Sequence, residues 1–279
     1  MEILIRPSAD AVAQQAADII ASYVHTDHNG SPQNTGGADN NGGTDNNGGT
    51  VLGLATGSTP LATYQELIRR HKQENLSFRG CTVFMLDEYV GLAPDHEQSY
   101  ARTIRREFTD HVDINDADVY SPAGNTADPL QAAADYEELI TRKQVAIQLL
   151  GIGTNGHIGF NEPTSSLNSV TRLKTLQPQT ITDNARFFDS ADEVPKHVLT
   201  QGLATIRRAG HLLLVATGAN KAAAIAAAVE GPVSSMCPAS ALQLHPHATV
   251  LVDEQAASLL TFREYYQYAD QNKPPYQAY

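Results

Sequence analysis

The stretch Val145-Ala146-Ile147-Gln148-Leu149-Leu150-Gly151-Ile152-Gly153-Thr154-Asn155-Gly156-His157-Ile158-Gly159-Phe160-Asn161-Glu162-Pro163 passes from an apolar run into a glycine-dense turn. Residues 145–150 read as a buried strand. In an open α/β sheet, ligands bind outside the carboxyl ends of the strands, and glycine lets a backbone take positive φ and approach a ligand closely. The turn brings one imidazole, His157, and one carboxylate, Glu162, to that place as candidate proton-handling groups. A tight turn with a structural histidine fits the same residues, so the rest of the chain has to decide.

Outward from this stretch, strand and helix patterns alternate. Strands are expected at 2–6, 51–55, 81–86, 145–150, 211–216 and 248–252. Helices are expected at 60–73, 97–111, near 128–143 and 219–229, and at the C-terminus. A first helix follows Ser8, with Val12, Ala16, Ile19, Ile20 and Tyr23 on one face. Such alternation predicts an α/β fold: an open, mostly parallel sheet with helices on both faces. Residues 25–50 break the pattern, being almost free of apolar side chains and repeating Asp-Asn-Asn-Gly-Gly-Thr at 39–44 and 45–50. That composition cannot bury enough surface to offset the entropy of ordering, so a flexible low-complexity surface loop is expected. A calcium loop would need a terminal bidentate Glu that the spacing lacks. Because the tract lies between elements of one pattern, residues 1–279 are expected to form a single domain.

Composition narrows the function. A net charge of −12 argues against non-specific binding to nucleic acid or anionic membranes. An anionic substrate would therefore be held by local cations and backbone amides. No apolar run approaches a bilayer span, and Met1–Arg6 lacks the pattern of a secretory signal. Cys81 and Cys237 form no disulfide framework and fit no metal spacing, so a reduced, cytoplasmic setting is expected.

Two further turns follow strands in the same way. In Ala55-Thr56-Gly57-Ser58-Thr59-Pro60, small residues expose successive N–H groups at a helix start, with Thr59 as N-cap and Pro60 in the first helical position. The segment fits an anion nest or a plain helix cap, and it has no Walker lysine. In Met85-Leu86-Asp87-Glu88-Tyr89-Val90-Gly91-Leu92, two adjacent acids lie where an apolar strand ends. Neighbouring side chains diverge in extended backbone, so one acid faces the crevice, and Asp87 is the better placed to be a buried base. A solvated acidic turn is the alternative. Arg186, flanked by aromatics, and Lys221, at the start of an Ala-rich helix, are either surface charges or the fork and point charge that close a phosphate site around Gly57, Ser58 and Thr59. Nest, base and His/Glu pair together suggest proton transfer on a small phosphorylated molecule without a cofactor.

The segments 52–60, 86–92 and 156–163 resemble the glucosamine-6-phosphate deaminase family, as do 185–189, 229–233 and 242–246. The similarity runs in order through nearly the whole chain outside the low-complexity tract. It implies a Rossmann-like fold of the sugar-phosphate isomerase type. It also implies conversion of glucosamine 6-phosphate and water to fructose 6-phosphate and ammonium, without metal or cofactor. By this resemblance Asp87 moves the proton from C2 to C1. His157 assists ring opening, oriented by Glu162, while Gly57, Ser58, Thr59, Arg186 and Lys221 bind the phosphate. Some members carry Asp where this chain has Asn155, which cannot share a proton, so a changed pH profile is expected. Some members are hexamers activated by N-acetylglucosamine 6-phosphate between subunits. Met1, Ser165, Arg172 and Lys174 match that site, although Arg172 and Lys174 also fit alternate exposed positions on a strand. A homo-oligomer, with a hexamer favoured, is therefore expected. Two rivals share the fold: a lactonase, whose corresponding turns differ, and a sugar-phosphate-sensing regulator, which would need a basic DNA-binding element this chain lacks.

Overall fold

The computed structural model describes residues 1–24, 49–185, 188 and 190–277. The low-complexity tract at 25–48, and Arg186, lie outside the described residues. The elements in chain order begin β1 (Glu2–Arg6), α1 (Ala9–Val24), β2 (Val51–Leu54), α2 (Ser58–Glu74), β3 (Thr82–Met85) and β4 (Asp87–Tyr89). They continue α3 (Tyr100–Glu107), β5 (Val119–Tyr120), α4 (Pro129–Lys143), β6 (Ile147–Leu150), β7 (Arg172–Thr175) and α5 (Pro178–Asn184). Then come β8 (His197–Thr200), α6 (Leu203–Ile206), β9 (His211–Ala216), α7 (Ala222–Val229), β10 (Ala248–Asp253) and α8 (Arg263–Gln271).

Seven strands form one sheet in the order β1-β10-β9-β6-β2-β3-β5, with every pair parallel. Its strands are apolar almost throughout because helices cover both faces. Alternate residues serve the two sides. Leu212, Leu214, Val250 and Val252 pack with Tyr136 and Ile140 of α4 and Ile225 of α7. Leu213, Val215 and Leu251 pack with Val12, Ala16 and Ile20 of α1 and with Tyr64 and Leu67 of α2. From β2 the chain winds outward to β3 and β5; from β6 it winds the other way, to β9 and β10. The switch point therefore lies between β2 and β6, where a crevice opens at the carboxyl ends of the strands.

The expected strands and helices are present with shifted ends; β5, α5 and α6 lie outside the expected set, and so does a further sheet. A second, three-stranded antiparallel sheet, β4-β8-β7, adjoins the C-terminal edge of the first. Leu86 joins the two: its N–H donates to Leu54 O at 3.2 Å in the parallel sheet, and its carbonyl accepts from Gln201 N at 2.8 Å. The expected turn at 85–92 is thus partly strand, and Asp87 opens β4 opposite Thr200. Helix α2 also starts earlier than expected. Gly57, at φ 118°, is its N-cap, so Thr59 and Pro60 fall inside the first turn. Ser8 caps α1 as expected, accepting from Ala11 N at 3.2 Å. Cys81 is buried, Cys237 is partly buried, and no disulfide joins them.

Candidate active site

Four loops meet at the carboxyl edge of the sheet because β3, β2, β6 and β9 are neighbours there. The turn after β2 carries Gly57, Ser58 and Thr59. Gly57 and Ser58 are exposed, and no side chain caps the seventeen-residue α2, so its leading N–H groups and positive dipole end face the crevice. Lys221 stands beyond β9, where its Nζ donates to Ile152 O at 2.7 Å and so sits over the exit of β6.

Asp87 is 6% exposed. Burial first, and then the neighbouring Glu88 charge, push its carboxyl up to about 8. The two adjacent acids diverge as alternation requires. Glu88 turns away to cap α3, accepting from Tyr89 N at 2.8 Å, Tyr100 N at 2.9 Å and Ala101 N at 2.8 Å. Asp87 is left facing the turn that follows β6. There Gly159 makes room: a Cβ on it would lie 3.5 Å from Asp87 Oδ2 and 3.1 Å from Thr200 Oγ1. Gly159 also has φ 53°, a left-handed conformation that glycine adopts without strain.

The same turn holds the imidazole. Gly153 N donates to His157 O at 2.9 Å, and the His157 ring lies over Gly153, where a Cβ would come within 2.2 Å of Cε1. His157 Nδ1 is 2.7 Å from Asn155 Oδ1 and 3.5 Å from Glu162 Oε2. Asn155 Nδ2 donates to the same Glu162 oxygen at 2.8 Å, and Asn155 Oδ1 also accepts from His157 N at 3.2 Å. That backbone donor and the carboxylate together orient the amide. Both groups facing Nδ1 are acceptors, so Nδ1 carries a proton and Nε2 is the ring nitrogen left to exchange one with a ligand. Burial alone would raise the Glu162 carboxyl, but hydrogen bonds from His157, Thr180 and Asn155 hold it down at about 2.

His157 thus faces Glu162 directly, and also through Asn155, the nearer partner, which relays the carboxylate's orientation. Thr180, which no sequence pattern singles out, donates to Glu162 Oε1 at 2.5 Å.

The regulatory set is not assembled within one chain. Ser165 is buried just past Glu162, and among the described residues its Oγ has no hydrogen-bond partner. Arg172 and Lys174 lie on β7, the edge of the small sheet, and Arg172 donates to Val170 O at 3.3 Å. Met1 is 42% exposed at the opposite, N-terminal edge of the large sheet. Among the described residues no hydrogen bond or ion pair joins it to the other three.

Comparison with known proteins agrees with this architecture. Residues 38–252 match the family described as glucosamine-6-phosphate isomerases/6-phosphogluconolactonase. A glucosamine-6-phosphate deaminase of Corynebacterium kroppenstedtii is 59% identical, with all of both chains covered. A solved monomeric glucosamine-6-phosphate deaminase is 41% identical and superposes with a TM-score of 0.83, over 93% of this chain and 100% of its own. The 6-phosphogluconolactonase of Trypanosoma brucei, 19% identical, shares the fold with a TM-score of 0.70 over 93% of this chain and 98% of its own. The chain belongs to the family of glucosamine-6-phosphate isomerases and 6-phosphogluconolactonases.

Proposed function

We propose that this chain converts glucosamine 6-phosphate and water into fructose 6-phosphate and ammonium, with residues 1–279 acting as one catalytic domain. The observation that carries this reading is a buried carboxylate of raised proton affinity, Asp87, set against the turn that presents an oriented His157. The 59% identical deaminase, matched over its full length, favours the same reaction over lactone hydrolysis.

The phosphate docks on the N–H groups around Gly57, Ser58 and Thr59, with Lys221 and Arg186 as cations. His157 Nε2 takes the proton of the anomeric hydroxyl and delivers it to the ring oxygen, opening the sugar. The carbonyl formed at C1 acidifies the C2 proton, so the route needs neither metal nor organic cofactor. Asp87 removes that proton, the C2–H electron pair becomes the C1–C2 double bond, and the C1 oxygen is protonated. Asp87 then returns the proton to C1, leaving an iminium at C2. Water adds to C2, the C–N bond breaks with its electrons going to nitrogen, and ammonium leaves. Since Asp87 must be ionised to act, kcat/KM is expected to rise with pH through about 8.

Ammonium release from glucosamine 6-phosphate is the deciding assay. Asp87→Asn should lose at least about a hundredfold in kcat, because an amide accepts no proton. Full turnover by that variant, or hydrolysis of 6-phosphogluconolactone without ammonium release, would overturn the assignment. Asn155→Asp sets a second carboxylate against Glu162 Oε2, so the two share a proton, and the pH–rate profile should change without loss of activity. An unmoved profile removes Asn155 from the proton relay.

Activation by N-acetylglucosamine 6-phosphate through Met1, Ser165, Arg172 and Lys174 requires a second copy of the chain, since one copy keeps Met1 apart from the rest. A hexamer whose sigmoidal kinetics turn hyperbolic with that activator is the expected outcome. A monomer with hyperbolic kinetics, as the 41% identical relative's monomeric state would favour, overturns it. The proposed reaction belongs to amino-sugar breakdown and carries a cytoplasmic location with it.

A further inference from the structure

Thr180 on α5 is 7% exposed, and its hydroxyl donates to Glu162 Oε1 at 2.5 Å. Its neighbour on the same short helix, Thr182, makes the ordinary helical contact instead, donating to Pro178 O at 3.0 Å. Thr180 thus commits its proton across eighteen residues to a carboxylate. The other Glu162 oxygen, Oε2, accepts from Asn155 Nδ2, and Asn155 Oδ1 faces His157 Nδ1 at 2.7 Å. The terminal torsion of a glutamate is broad, so a carboxylate gripped at one oxygen turns easily. Gripped at both, its plane is set. The far end of α5 is anchored as well, with Asn184 Nδ2 donating to Tyr89 Oη at 2.8 Å on the strand that carries Asp87.

We infer that Thr180 is a positioning residue for the proposed reaction: through Glu162 and Asn155 it fixes the plane and tautomer of His157. This rests on the proposed role of His157 in ring opening. Glu162 is faced by Asn155 and His157 from the turn after β6 and by Thr180 from α5, and among the described residues no other side chain grips that carboxylate.

The test compares Thr180→Val, nearly the same shape without the hydroxyl, with Thr180→Ser, which keeps it. In the ligand-free protein, the 15N shifts of the His157 ring report its tautomer. The valine variant should lower the share of Nδ1–H and reduce kcat about tenfold, with KM changed less than about twofold. Serine should restore both the tautomer share and kcat. If the valine variant melts far below the wild type, Thr180→Ala is read in its place. Unchanged ring shifts and kcat in the valine variant, or equal losses in valine and serine variants, would overturn the inference. A wild-type protein that releases no ammonium would overturn the proposed reaction alone, because the ring shifts are read without substrate.

Discussion

Asp87 illustrates how a single residue sets function against stability. Its carboxyl ionises near 3.8 in an unfolded chain and near 8 in the folded one, because burial penalises the charge and Glu88 adds to the penalty. A folded-state value above the unfolded one means stability is full below about 3.8 and is lost as the pH rises toward 8. Asp87→Asn carries no such penalty. It should melt with the wild type near pH 3.5, and a few degrees above it at pH 9, by calorimetry. Equal melting at both values would show that Asp87 is more hydrated than its 6% exposure implies. The residue type and its place after an apolar strand were readable in the sequence. Its proton affinity was not, since that depends first on burial, which comes from packing against segments far along the chain such as the turn at Gly159 and strand β8.

At the level of elements, the strand-to-helix turn at 55–60 shows what local chemistry decides. Gly57 holds φ 118°, which a side chain tolerates poorly, yet a Cβ there would meet nothing within 4 Å. Gly57→Ala therefore changes backbone preference alone, at a cost of about 1 kcal/mol. Because that backbone sets the N–H groups of the proposed phosphate site, the expected result is a several-fold rise in KM with kcat nearly unchanged. A fall in kcat at constant KM would place the turn outside phosphate binding. The parallel strands other than the two-residue β5 were legible from their apolar runs, and Ser8 marked the start of α1 correctly. The antiparallel sheet was not legible. Strand β4 pairs with β8 across more than a hundred residues, Asp87 with Thr200, and neither short segment carries a pattern that names the other.

The whole molecule balances two buried ionisable groups at opposite ends of the sheet. His211, at the amino end of β9, has Nδ1 3.1 Å from Tyr23 Oη and Nε2 2.9 Å from Thr249 Oγ1, and it stacks on His247 with centroids 3.7 Å apart. Burial, and then the neighbouring His247 and His245, hold it down at about 2 instead of 6.5. A depressed histidine gives stability that is full above 6.5 and is lost as the pH falls toward 2. With Asp87 acting in the opposite sense, the two slopes cancel between about 3.8 and 6.5, where stability should be highest. His211→Gln should lower the melting temperature at pH 7 and, with the Asp87 slope left unopposed, widen the fall between pH 5 and pH 7. An unchanged difference would assign the acid sensitivity to other groups.

The sequence by itself determined the α/β class, the strand-ending loops and the chemistry-bearing residues Asp87, His157, Glu162, Gly57 and Lys221, because apolar periodicity and residue type are local properties. Tertiary structure decided which of them meet. The switch between β2 and β6 gathers four loops at one edge, β4 buries Asp87, Asn155 stands between His157 and Glu162, and Thr180 reaches the carboxylate from α5. Those relations depend on strand order and on dehydration of the assembled site, and both arise only when distant segments pack together.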